Sequence, residues 1–152
     1  MATFISTNPD DTVELGERWG REIQDGWVIG LTGELGAGKT QLVKGIARGL
    51  GTTTRVHSPT FALINTYEGG RLPLFHLDLY RLETRDQITA AGLDEYLFHP
   101  QGVTVIEWVE RWLGKAGSQN SRVHGLPAHL RQVWIDTISE TGRSIRYEDS
   151  GA

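Results

Sequence analysis

From Trp27 to Thr32 the chain is almost continuously apolar, and Gly26 stands directly in front of the run. A short unbroken run of this kind fits a strand buried on both faces, as in a parallel sheet. Beyond residue 40 the period changes. Leu42, Ile46 and Leu50 recur every four residues with Val43 and Ala47 beside them, which marks one face of a helix. Gly51 stands where a glycine closes such a helix. Upstream, Thr3 to Thr7 reads as a short strand, and Asn8-Pro9-Asp10-Asp11 as a helix start. Asn8 can cap, Pro9 suits the first helical position, and the aspartates favour the positive helix end. Leu15, Trp19 and Ile23 form the expected buried face of that helix, which Gly26 ends.

Downstream, residues 51–59 are polar and lack a period, so a loop is expected. Phe61 to Tyr67 and Leu72 to Tyr80 read as two strands of a hairpin around Glu68-Gly69-Gly70, with Pro73 near the beginning of the second or at an edge. In that second strand Phe75, Leu77 and Leu79 share one face, and His76, Asp78 and Tyr80 share the other. The polar row fits an exposed strand face and a functional row equally well. Thr84-Arg85-Asp86-Gln87 has the form of a capping box and starts a helix that breaks near Gly92, with a further turn over Asp94 to Leu97. Val103 to Ile106 is a β-rich run that ends in Glu107-Trp108, and Val109 to Leu113 continues as a short helix. Residues 114–127 are loop-like. Leu130 to Ile138 and Arg143 to Tyr147 close the chain as two strands around Glu140-Thr141-Gly142, with the last few residues expected to be disordered. The pattern is α/β: a single domain with a three-layer arrangement, a mixed β-sheet flanked by helices.

Between the apolar run and the helix after it lies Gly33-Glu34-Leu35-Gly36-Ala37-Gly38-Lys39-Thr40. It fits G-x-x-x-x-G-K-[ST] at every fixed position, in the strand-then-helix setting this pattern requires. Glycines let the backbone turn tightly so that successive N–H groups face one concavity, and the following helix adds its positive end. Lys39 is then expected to reach the β- and γ-phosphates of a nucleotide, and the Thr40 hydroxyl to ligate magnesium. This points to a P-loop NTPase fold.

Composition narrows the reading only modestly. Hydrophobic content of 38% and charged content of 22% are ordinary for a globular domain. Without cysteine, disulfides and thiolate metal sites are excluded, which fits a cytoplasmic location. No run approaches a membrane span and no secretory signal is visible. A net charge of −4 argues against a broad nucleic-acid-binding surface. Locally, Arg111, Lys115, Arg122 and Arg131 make the region after Glu110 basic, which leaves direct nucleic-acid contact open and fits a solvated loop better.

A nucleotide with magnesium calls for a carboxylate at the end of a buried strand. Glu107 fits best, and Asp78 is the alternative, or positions the attacking water. The absence of an N-K-x-D motif favours ATP over GTP. A small-molecule kinase remains an alternative, although Arg81, Arg85, Arg111 and Arg122 form no obvious lid motif. So does a nucleotide-controlled binding module in which hydrolysis is incidental.

Five stretches occur in a specific order: residues 33–40, Ser58-Pro59-Thr60-Phe61, His76-Leu77-Asp78-Leu79-Tyr80-Arg81, Gly92-Leu93-Asp94-Glu95-Tyr96 and Glu107-Trp108. Together they resemble the TsaE family, formerly YjeE, closely over residues 3–113 and more loosely over 126–147. The resemblance implies an ATPase for threonylcarbamoyladenosine modification of tRNA at the adenosine 3′ of the anticodon, acting with the TsaB–TsaD complex. It also implies roles for particular residues. Thr40 and Glu107 would ligate magnesium, and Asp78 would be catalytic, either near the metal or on water. Ser58-Pro59-Thr60 would form a switch-like loop facing the γ-phosphate. Trp108, Thr12 and Arg143 would lie close to the nucleotide. The chain departs from the family pattern at Gln87 to Ala91, where glutamate is more usual, and in a longer stretch over residues 114–125.

Overall fold

Seven strands share one sheet in a computed structural model that describes residues 2–34, 38–52, 63–98, 100–113 and 127–150. In chain order the elements are β1 (Ala2–Ser6), α1 (Pro9–Glu22), β2 (Trp27–Thr32), α2 (Lys39–Leu50), β3 (Ile64–Tyr67), β4 (Leu74–Asp78), α3 (Arg85–Ala90), α4 (Asp94–Phe98), β5 (Val103–Glu107), α5 (Glu110–Leu113), β6 (His129–Thr137) and β7 (Arg143–Ser150). The strand order is β1-β7-β6-β2-β5-β4-β3. The four central strands, β6, β2, β5 and β4, run parallel. β1, β7 and β3 add antiparallel edges. The sheet is therefore mixed, and its parallel core leaves the ends of Thr32, Asp78, Glu107 and Thr137 along one edge.

Helices cover both faces. Leu15 and Trp19 of α1 and Leu42 and Ile46 of α2 pack on Ile29, Leu31, Val103 and Val133. On the other face Ile88, Leu97 and Trp112 pack on Val28, Leu77, Ile106 and Leu130. Leu42 and Ile46 are fully buried, and each such side chain contributes about 1.5–3 kcal/mol by leaving water. This is the expected three-layer arrangement.

Helix ends follow the sequence chemistry. Asn8 Oδ1 accepts from Asp11 N at 3.0 Å, with Pro9 in the first turn. At Thr84 the expected capping box is complete. Gly51, at φ +83°, closes α2 through its N–H to the Ala47 and Arg48 carbonyls, a left-handed conformation that suits glycine.

Helices α1 and α2 meet backbone to backbone, a feature the apolar periodicity does not announce. A Cβ on Gly45 would strike the Val13 carbonyl oxygen and lie 2.9 Å from Gly16 Cα, and one on Gly49 would lie 2.9 Å from Gly20 Cα. Four glycines thus form a seam that holds the two helices at contact distance.

Some boundaries differ from the sequence expectation. Helix α1 stops at Glu22, before Gly26. β4 ends at Asp78 rather than Tyr80, because Asp78 Oδ1 accepts from Tyr80 N at 2.9 Å and turns the chain out of the sheet. Asp94–Phe98 is a short helix rather than a turn, anchored by buried Leu93 and Leu97. β7 runs on to Ser150, which pairs with Leu130. Pro73 directly precedes β4, and its carbonyl accepts from Val103 N. Among the described residues no helix is long and apolar enough to cross a membrane.

Candidate functional site

The site builds from the carboxyl edge of the parallel strands, where open α/β sheets characteristically bind ligands. β2 delivers Gly33 and Glu34 there. Gly38, at φ +100°, then starts α2 and places Lys39 and Thr40 in its first turn. β5 delivers Glu107 and β4 delivers Asp78, its cross-strand partner in the parallel register. The hairpin between β6 and β7 brings Arg143 to the same edge.

A cavity of about 370 Å³ opens between these elements. Thr12, Gly38, Lys39, Thr40, Glu107 and Arg143 all line it. Thr12 and Arg143 are distant from the glycine-rich stretch in sequence, yet they share one space with it. Thr12 is held by a hydroxyl contact of 2.8 Å to Ser6. Arg143 Nη1 donates to the Gly142 carbonyl at 2.8 Å and to Ser139 O at 3.1 Å.

Lys39 is 5% exposed; its ammonium donates to the Gly33 carbonyl at 2.7 Å and lies 4.5 Å from the Trp108 ring centroid. Trp108 lines a neighbouring cavity of about 430 Å³ with Gly33 and Glu34, rather than the one shared by Thr12 and Arg143. Its φ of +62° is the one positive value at a non-glycine residue among the described residues. A bulky residue there is a genuine outlier, of the kind that concentrates at functional sites.

His76 is the residue whose importance the alternating pattern left open. It is fully buried, so the exposed-face reading fails at this position. β4 lies between β3 and β5, and this face turns toward the layer that contains α1 and α2. His76 Nε2 lies 2.6 Å from Glu107 Oε2, and Tyr67 Oη is 3.4 Å from Nδ1. The polar row is graded: His76 is buried, Asp78 is partly buried and Tyr80 is 51% exposed. Burial pushes the Asp78 carboxyl above its ordinary range; the Tyr80 N–H opposes this, Glu107 reinforces it, and His76 and Lys39 oppose it. Asn8, Glu140 and Thr141 also line the cavity. They carried no sequence signal beyond helix-cap and turn chemistry.

The donors in the cavity are hard oxygens from a hydroxyl and a carboxylate, a set that suits magnesium. Among the described residues no group of three or more His, Cys, Asp or Glu side chains could hold a metal by themselves. This donor set fits a cation that arrives with phosphate oxygens, the usual way magnesium is bound. Leu35, Gly36, Ala37 and the Ser58-Pro59-Thr60 loop lie outside the described residues, as do Lys115 and Arg122. Arg131 departs from the solvated basic stretch. It is on β6, paired with Asp149 at 2.6 Å and packed 4.7 Å from the Trp19 ring centroid.

Fold and site together define a three-layer α/β protein with a partly buried polar cavity at the carboxyl edge of its parallel strands. Residues 6–138 match the family model described as threonylcarbamoyl adenosine biosynthesis protein TsaE. The chain belongs to the TsaE family. It is 48% identical over 103 residues to the tRNA threonylcarbamoyladenosine biosynthesis protein TsaE of Bacillus subtilis, covering 68% of this chain and 63% of that relative. It is 44% identical over 117 residues to the TsaE of Synechocystis, covering 71% of this chain and 70% of that one. The crystal structure of YdiB from Bacillus subtilis superposes with a TM-score of 0.74 at 33% identity, covering 99% of this chain and 86% of that chain.

Proposed function

We propose that this chain is a P-loop ATPase that supports threonylcarbamoyladenosine modification of tRNA, acting in the cytoplasm with the TsaB–TsaD complex. The observation that carries the reading is the convergence of Lys39, Thr40 and Glu107 on one cavity at the start of α2. The Gly33–Thr40 backbone and the positive end of α2 receive the phosphates of ATP. Lys39 exchanges the Gly33 carbonyl for phosphate oxygens, which adds charge where the β- and γ-phosphates lie. Thr40 and Glu107 would hold magnesium, which would supply positive charge against the phosphates when bound. Asp78 orients the attacking water, Thr12 and Arg143 border the nucleotide, and Trp108 stands beside it through its contact with Lys39. Thr60, within Ser58-Pro59-Thr60, is assigned a catalytic role toward the γ-phosphate by the sequence resemblance alone.

The test is ATP hydrolysis with magnesium, by the chain alone and with purified TsaB–TsaD. Stimulation by the pair, lost in Lys39→Ala and Glu107→Ala with folding intact, is the expected result. Hydrolysis unchanged in both variants would remove the assigned site. Phosphate transfer to a hydroxylated metabolite faster than to water would replace this reading with a kinase.

A further inference from the structure

We infer that His76 is the positioning residue for Glu107, fixing the carboxylate that holds magnesium in the reading above, on which this inference rests. In the parallel register His76 pairs with Val105 and Asp78 with Glu107. His76 and Glu107 are therefore diagonal neighbours on one face of two adjacent strands. Both are nearly withdrawn from water, at 0% and 5% exposure. A carboxylate accepts hydrogen bonds, so Nε2 donates to Oε2 across the 2.6 Å contact. The other ring nitrogen then faces the Tyr67 hydroxyl, 3.4 Å away, at the long end of hydrogen bonding.

This arrangement does more than satisfy a buried histidine. Glutamate has three side-chain torsions, and on a strand end it can point in several directions. Committing one of its oxygens to a ring anchored inside the sheet removes most of that freedom while Glu107 still lines the cavity with Thr40. Groups that orient a ligating side chain in this way typically cost about 10- to 100-fold in metal affinity or activity when removed. His76 itself is not among the residues that line the cavity. Its influence must pass through Glu107.

The test measures binding of a non-hydrolysable ATP analogue in magnesium and in EDTA, by calorimetry, for the parent chain, His76→Met and His76→Gln. Methionine fills similar space without a donor, and the glutamine amide nitrogen can stand near the position of Nε2. In His76→Met the gain in affinity conferred by magnesium should shrink about tenfold, with affinity in EDTA unchanged. His76→Gln should keep most of the gain. A full gain in His76→Met, an equal loss with and without metal, or a glutamine variant no better than methionine would each overturn the inference. If the parent binds no analogue in either condition, the ATPase reading fails first, and that result is distinct from those three.

A measurement on the unaltered chain covers the case in which His76→Met does not fold. Nitrogen-15 NMR of the imidazole should show a slowly exchanging Nε2 proton that persists when magnesium and the analogue are added. A freely exchanging proton, or one lost on addition, would overturn the proposal.

Discussion

Lys39 is bracketed by its own loop and by Trp108: its ammonium donates to the Gly33 carbonyl at 2.7 Å and rests 4.5 Å from the Trp108 ring centroid. Tyr80 packs on Trp108 with ring centroids 5.0 Å apart, and the Arg111 guanidinium carbon lies 5.7 Å from the Trp108 centroid. Phosphate arriving at Lys39 must compete with a carbonyl hydrogen bond and a cation–π contact of about 0.5–2 kcal/mol. Trp108 emission should therefore change when ATP binds. The change should vanish in Trp108→Phe, which leaves Trp19, Trp27, Trp112 and Trp134 as background. An equal change in that variant would show that Lys39 stays against the ring or that another tryptophan reports.

The glycine seam makes a prediction against simple helix propensity. Alanine in place of a mid-helix glycine ordinarily stabilises by about 1 kcal/mol. At Gly45 the added Cβ would meet the Val13 carbonyl and Gly16 Cα, backbone atoms that cannot rotate away. Overpacking costs about 1–3 kcal/mol and should win. Gly45→Ala is expected to lower unfolding free energy in urea and to weaken nucleotide binding, because α1 carries Thr12 and α2 carries Lys39 and Thr40. A more stable variant would show that the helices separate without cost.

Much of this architecture was legible because local chemistry and tertiary context agree. Asn8, Thr84 and Gly51 carry capping signals that act within a few residues, and the Leu42–Ile46–Leu50 stripe has one period and one face. The glycine-rich stretch placed Lys39 and Thr40 correctly at the head of α2. What stayed hidden depends on distant pairings. His76 reads as exposed or functional from alternation alone, and only the placement of β4 between β3 and β5 buries it against Glu107. Gly16, Gly20, Gly45 and Gly49 look like weak helix residues until two helices are seen to touch. Arg131 looks like part of a basic stretch until β7 brings Asp149 beside it.

Asp11 gives the fold a pH-dependent contact at the start of α1. Its Oδ2 accepts from Thr7 N at 2.9 Å and from Thr7 Oγ1 at 2.7 Å. The backbone bond first and the hydroxyl second hold this carboxyl below its ordinary range. With the folded value depressed, the contribution to stability is present above the unfolded value and is lost as pH falls through the folded one. The difference in Tm between the parent and Asp11→Asn should be largest near neutral pH and narrow below the ordinary carboxylate range. A gap that stays constant with pH would remove Asp11 as its source.

Asp78 and Glu107 are paired in register at the ends of adjacent strands, yet their surroundings differ. Glu107 lines the cavity with Thr40, while Asp78 is not among its lining residues and one of its oxygens already accepts from Tyr80 N. Metal should therefore depend on Glu107, and the placement of water on Asp78. Asp78→Asn is expected to lower ATP hydrolysis by about 10²- to 10⁴-fold, the usual contribution of a positioned acid–base group. The magnesium dependence of analogue binding should fall much less than in Glu107→Ala, since the substitution removes a neighbouring negative charge but no oxygen that lines the cavity. Glu107→Ala should lose both. Should Asp78→Asn weaken magnesium-dependent binding as much as Glu107→Ala does, the two carboxylates share the metal, and the attacking water must be oriented by another group at this edge of the sheet.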